Sequence, residues 1–314
     1  MAYVEPSSRD QRLLVAFASI ALWALLLVVS RIVLVTYEVD PWSFTFVQLI
    51  AGGAVSVAAS GRGGTVDWSS LRRIQTWLYG GLRVITASAF TAALAHTTVT
   101  YAGLLGTTNV VFGVIGAALV FGRRPGGAEY VGLGLIVVGV SLVIASRLEG
   151  GVRNPAVALM LISEVAVVGA SLLAESHPDN AGHDRRARLR FSGVVLLATA
   201  TLFLLVRLLQ EGIDGGSLGA AVDVSPVMWI AGILVGVTLR GPAMYTSLNA
   251  IRLVGAEVYL MVAASLAFIG LAMETVAGRI GVVEPASYGA LDVVLPTLIA
   301  AGAVSVFAIR QRAV

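Results

Sequence analysis

"RLEGGVRNP", residues 147–155, is a short polar break between two long apolar stretches, and it falls near the midpoint of the 314-residue chain. On its N-terminal side lie apolar runs at roughly 13–35, 42–59, 77–95, 101–122 and 128–146. On its C-terminal side lie five more, at about 156–174, 191–209, 227–248, 253–277 and 290–309. Each is long enough to cross about 30 Å of hydrocarbon. A segment at that depth must be helical, because only a helix satisfies its own backbone there. The break therefore divides ten predicted helices five and five, with units 1–150 and 151–314.

Composition agrees. Hydrophobic residues make up 57% of the chain, charged residues 12%, and mean hydropathy is +0.89. A soluble protein needs a mostly polar surface, and too few charges exist to build one. The absence of Cys excludes disulfides, thiolate metal sites and cysteine nucleophiles, and the three His form no cluster, so no metal site and no cofactor are expected. With a net charge of only +3 and no basic stripe interleaved with aromatics, nucleic-acid binding is set aside. The first run is too long for a signal-peptide core and lacks a following cleavage pattern, so it is expected to stay in the mature protein.

Loop arginines orient the helices. With the N-terminus in the cytosol, one side receives Arg9, Arg12, Arg62, Arg72, Arg73, Arg123, Arg124, Arg185, Arg186, Arg188, Arg190, Arg252, Arg310 and Arg312, and the other only Arg147, Arg153 and Arg279. Both termini are thus expected in the cytosol of a bacterial-type inner membrane. The opposite loops are acidic, with Glu38, Asp40, Glu211, Asp214 and Asp223.

Working outward from the break, the halves echo each other. The fifth run ends "GVSLVIASR" (139–147) and the tenth "GAVSVFAIR" (302–310), sharing Gly, Val, Ala and Arg in register. "ALAHTTVTYAGLL" and "SLNAIRLVGAEVYL" hold corresponding places before the fourth and ninth. An odd number of helices repeated once gives halves of opposite membrane orientation, the inverted-repeat plan of many secondary transporters. The fold class expected is all-α, a polytopic membrane protein of ten transmembrane helices.

The chain resembles the ten-helix branch of the drug/metabolite transporter superfamily, with paired EamA-like repeats. "DPWSFTFVQLIAGG" (40–53) looks like that family's opening signature, and "ALAHTTVTYAGLLGTTNVVFGVIGAALVFGRRPGGAEYVGLGLIVVGVSLV" (93–143) resembles its fourth and fifth helices. The sequence departs from the family pattern at Gln48, where Arg is frequent, near Asn109 and Val110, where Pro is, and at Arg123, where Glu is. The resemblance implies export of a small metabolite and places the third and eighth helices on a central cavity.

Within the runs, Arg83 in "WLYGGLRVITASAFTAALA" (77–95) and Arg240 in "LRGPAM" (239–244) lie at matching depth on oppositely directed helices. An arginine at helix centre costs about 2.5–3.5 kcal/mol on insertion scales, so each requires a cavity or a partner. Glu164 in the sixth run and Glu257 at the start of the ninth are the acidic candidates. Either these four pair as buried salt bridges, or the arginines grip a carboxylate or phosphate and Glu164 binds an amine or a coupling proton. Gln48, Asn109 and the Thr107–Thr108 pair are candidates for interhelical hydrogen bonds or substrate contacts. Gly241 and Pro242, directly after Arg240, suit a hinge, since an internal proline bends a helix. Arg31 and Arg207 near the outer helix ends read as snorkelling, and His96 as interfacial. Small residues in the fifth run (Gly132, Gly134, Gly139) and the tenth (Ala300, Ala301, Gly302, Ala303) permit close packing, inside the chain or against a homodimer or other membrane partner.

No phosphate-cradling motif and no nucleophile–base constellation is present, so an ATPase and an enzyme are not expected. Two readings remain: a secondary transporter for an amino acid or other carboxylate-bearing metabolite, possible proton coupling included, and a non-transporting membrane subunit with a transporter-like fold. They differ in whether Arg83, Arg240 and Glu164 line a solvated cavity or close on one another in a dry core.

Overall fold

The computed structural model describes residues 8–61, 68–94, 96–97, 99–182, 184–213, 225–279, 281 and 291–313. Arg62, Asp214 and Asp223, counted among the loop charges above, lie outside the described residues. Among the described residues every regular element is a helix. In chain order these are α1 (Arg9–Tyr37), α2 (Pro41–Ser60), α3 (Ile74–Leu94), α4 (Val99–Gly106), α5 (Thr108–Phe121), α6 (Glu129–Arg147), α7 (Pro155–Ser176) and the short α8 (Pro178–Ala181). Then come α9 (Arg185–Ile213), α10 (Pro226–Val235), α11 (Gly241–Val254), α12 (Ala256–Ala263), α13 (Leu266–Arg279) and α14 (Leu291–Ala313). Eight segments are long and apolar enough to cross a membrane; with α3 and the apolar part of α14, Val294–Arg310, the order is compatible with ten crossings.

Local chemistry sets the helix starts. Asp40, Asn154 and Ser225 each accept a backbone N–H at the head of α2, α7 and α10, and each is followed by Pro at the first helical position, where its missing N–H costs nothing. At the central break Gly150 (φ +80°) and Gly151 (φ +56°) take left-handed conformations that residues with a Cβ rarely adopt. The chain turns there before Asn154 starts α7.

Two expected single helices are broken. The fourth run divides at Thr107 into α4 and α5, and the ninth at Ala264–Ser265 into α12 and α13. At each break the backbone tightens to a bond three residues back, and the hydroxyl of the same residue reinforces it: Thr107 donates to Leu104 O at 2.6 Å and Ser265 to Val262 O at 2.7 Å. Thr108 likewise donates back across the break, to Leu105 O of α4. The threonine pair thus bonds within the fourth run rather than to another crossing.

The most extensive packing joins α2 to α9, α3 to α7, α6 to α14 and α1 to α11. Glycine makes the first and third of these possible. A Cβ on Gly193 of α9 would stand 2.7 Å from Gly53 O, and one on Gly302 of α14 would stand 2.7 Å from Gly132 O. Gly139 likewise packs on Ile299, whereas Gly134 has nothing within 4 Å of a Cβ built on it. The small-residue stripes of the fifth and tenth runs are therefore used largely on each other.

Candidate functional site

Between α10 and α11 the helix winds more loosely: Gly236–Arg240 is a π-helical turn, and the Gly241 N–H bonds Gly236 O, five residues back. Pro242 follows and has no N–H to give. The widened turn is held by α2, which approaches backbone to backbone: a Cβ on Gly52 would lie 2.8 Å from Gly236 O and 2.9 Å from Gly241 N. Turns of this kind concentrate at functional sites. This one ends on Arg240.

The Arg240 Cζ lies 5.3 Å from the centre of the Trp23 ring on α1, and the Arg83 Cζ on α3 lies 4.9 Å from the same centre. Two guanidiniums from separate helices thus share one indole. All three side chains are only half-buried. The indole is fixed from behind: Trp23 Nε1 donates to Ser247 Oγ at 2.5 Å, Tyr259 donates to the same Oγ at 2.9 Å, and Ser19 Oγ lies 2.9 Å from it. Tyr79, one turn before Arg83, donates to Met244 Sδ at 3.6 Å.

Among the described residues no carboxylate lies within ion-pair distance of Arg83 or Arg240, and the buried Nε of Arg240 has no hydrogen-bond partner. Both guanidiniums lie about 5 Å from one centroid, so they are at most about 10 Å apart, and their mutual repulsion is at least about 1.7 kcal/mol at an effective dielectric constant of about 20. A desolvated cation–π contact contributes about 2 kcal/mol. Trp23 therefore offsets the repulsion while leaving N–H donors unserved.

The other sequence candidates divide between this cluster and elsewhere. Glu164 on α7 is buried, takes a hydrogen bond from Asn109 on α5, faces Gly106 and feels the charge of Arg83. The Asn109 Oδ1 is buried without a partner. Gln48, also buried, donates across to Ser30 on α1 at 3.3 Å. Glu257 is not brought to the cluster. It pairs with Arg310 at 2.5 Å, and Arg310 also binds Glu129 at 2.6 Å and the carbonyls of Arg123 and Arg124. Arg310 is 9% exposed and both acids 3%. That knot ties the end of α14 to the starts of α6 and α12.

Arg123 pairs with Glu175 at 2.7 Å, and Glu175 also caps the Ala256 N–H at 2.6 Å. Arg73 pairs with Asp179 at 3.5 Å. At the same end His177 is buried, stacked on Phe191, accepts from the Asp179 N–H at Nδ1 and lies 3.2 Å from Thr76 Oγ1 at Nε2. Burial holds its pKa below the ordinary histidine value, with Asp179 opposing and Arg73 adding to the effect. Arg207 differs from the snorkelling expected of it, pairing with Glu211 one turn on at 2.8 Å. His96 is exposed.

Sequence reasoning missed Trp23 and the hydroxyl group behind it. A signal was present: tryptophan favours the membrane interface, yet Trp23 sits midway along a 29-residue helix.

Residues 12–145 match the model of the EamA-like transporter family. No curated protein matches the chain. A solved crystal structure superposes on it with a TM-score of 0.67 at 23% identity, covering 97% of this chain and 99% of the other, a likeness of fold. The matched family is one of transporters, and the match covers less than half of this chain.

Proposed function

We propose that this chain is a secondary transporter that exports a small carboxylate-bearing metabolite across a bacterial-type inner membrane whose cytosolic face holds both termini. The observation that carries the reading is the pair of half-buried guanidiniums, Arg83 and Arg240, sharing Trp23 with no carboxylate of the described residues in ion-pair reach. A structural pair would have consumed these charges. Unpaired and partly open, they suit an anionic group of substrate, which a guanidinium grips bidentately.

Alternating access moves residues 1–150 against 151–314 as two inverted halves. Three ion pairs at one end of the bundle, Arg73–Asp179, Arg123–Glu175 and Arg310–Glu129, each join one half to the other. They close that end and must part for it to open. The π turn with Gly241 and Pro242 is the flexible element beside the site, and Glu164 with Asn109 is the place for a coupling proton. The accessory-subunit alternative draws less support, because Gly132, Gly139 and Gly302 are occupied within the chain.

The test is counterflow in proteoliposomes with labelled carboxylates. Substrate-dependent exchange is expected for the wild type, and Arg83→Lys should lose at least tenfold in uptake while folding normally, because lysine keeps the charge and loses the planar fork. Equal exchange by wild type and Arg83→Ala would remove Arg83 from the site.

A further inference from the structure

We infer that the Arg83–Trp23–Arg240 cluster takes a doubly negative ligand, a dicarboxylate or a phosphate monoester, in preference to a monocarboxylate or a zwitterion. The inference rests on the anion-site reading above and deepens it.

Both guanidiniums lie about 5 Å from one indole and so at most about 10 Å apart, a span that a ligand carrying two negative charges can serve. A single carboxylate neutralises one and leaves the other facing a like charge in a medium that screens poorly. Two negative charges neutralise both. A phosphate monoester offers them on one group, and a dicarboxylate offers them at two ends.

The lining excludes the alternative. An ammonium brought into the cluster needs an acceptor, preferably ionised. The polar groups around the indole are the hydroxyls of Ser19, Ser247 and Tyr259, which are bonded to one another and to Trp23 Nε1. The Tyr79 hydroxyl is turned to Met244 Sδ. Glu164 is engaged by Asn109 on the α5–α7 side. A zwitterion would therefore bring a third cation to a cluster that already holds two. The buried Nε of Arg240 donates to nothing in the protein and is open to a ligand oxygen.

The test uses the purified full chain in detergent with three four-carbon probes that differ at one end: succinate, butyrate and 4-aminobutyrate, with glycerol phosphate as a second dianion, all at pH 7.5. Ligand-induced thermal stabilisation is read as a function of concentration. Succinate or glycerol phosphate should act at least tenfold below butyrate, and 4-aminobutyrate should be weakest. Arg83→Gln and Arg240→Gln should each abolish that preference with the unliganded melting temperature near wild type. If butyrate or 4-aminobutyrate matches the dianions and the response still requires both arginines, the double-charge inference falls and the anion site stands. If no probe stabilises the protein in an arginine-dependent way, both fall. Should a glutamine variant fail to fold, Arg83→Lys and Arg240→Lys serve instead, and undiminished preference for the dianions in both would count against contact with the guanidinium fork.

Discussion

Arg310 and Arg83 are the same residue in two settings. Arg310 closes on two buried carboxylates and two main-chain carbonyls at the end of the bundle. Arg83 lies over an indole inside the bundle with no carboxylate of the described residues in ion-pair reach. The first arrangement is complete within the chain, and the second is the one the proposed function gives to substrate. Burial alone would rank them the other way, because the more buried arginine is the structural one and the half-buried one is the candidate for binding.

The sharpest way to break that comparison is to remove each side chain in turn. Arg310→Ala leaves Glu129 and Glu257 buried, adjacent and unpaired, a loss of about 3–5 kcal/mol that should lower the melting temperature by many degrees. Adding Glu129→Gln and Glu257→Gln should recover much of it. Arg83→Ala forfeits a cation–π contact of about 2 kcal/mol but relieves a repulsion of similar size, so unliganded stability should barely move. Comparable losses in the two variants would erase the distinction between them.

A smaller effect separates tight helix contacts from open ones. Gly52→Ala sets a methyl 2.8 Å from Gly236 O, and overpacking of this kind costs about 1–3 kcal/mol. Gly134→Ala, with nothing within 4 Å of the new Cβ, should be neutral. Because Gly52 also abuts the π turn, ligand response should weaken in Gly52→Ala beyond what the lost stability explains.

The smallest effect is a pH dependence at the ion-paired end. His177 is held below its usual pKa by burial, so between its folded value and the unfolded value near 6.5 the unfolded chain binds more protons. Its contribution is complete above about pH 6.5 and is lost as pH falls through the folded value. Melting temperature should therefore drop more steeply between pH 7 and 5 in the wild type than in His177→Gln. Parallel curves would show that His177 titrates without consequence.

Helix positions were legible because a bilayer makes hydropathy and helicity one requirement. The runs at 42–59 and 156–174 match α2 and α7 within a residue or two at each end. The site was half legible. Arg83 and Arg240 stood out as charges with no local excuse, and equal depth on opposed helices brought them into one frame. Glu257 stood out by the same rule yet belongs to the knot around Arg310, since depth says nothing of which way a helix faces. Trp23 was hidden because an aromatic in an apolar run looks like packing. The breaks at Thr107 and Ala264 were hidden because a hydroxyl that repairs the backbone leaves the hydropathy of the run unchanged.

The loosened turn before Gly241 has a consequence for how the chain tolerates changes in length. A π turn carries about one residue more than an α turn, so the eighth helix behaves as an α-helix with a single insertion. Everything after it, including Ser247 and the cap of Trp23, is rotated by about 100° relative to α10, the angle of one residue at 3.6 per turn. Deleting Thr238 would let the segment relax to an ordinary helix of nearly unchanged length and hydropathy. It would still cross a bilayer. Either Arg240 and Ser247 would keep Trp23 while α10 turned its packed face, or α10 would hold and both would swing off the indole, because α10 and α11 could not both keep their present faces.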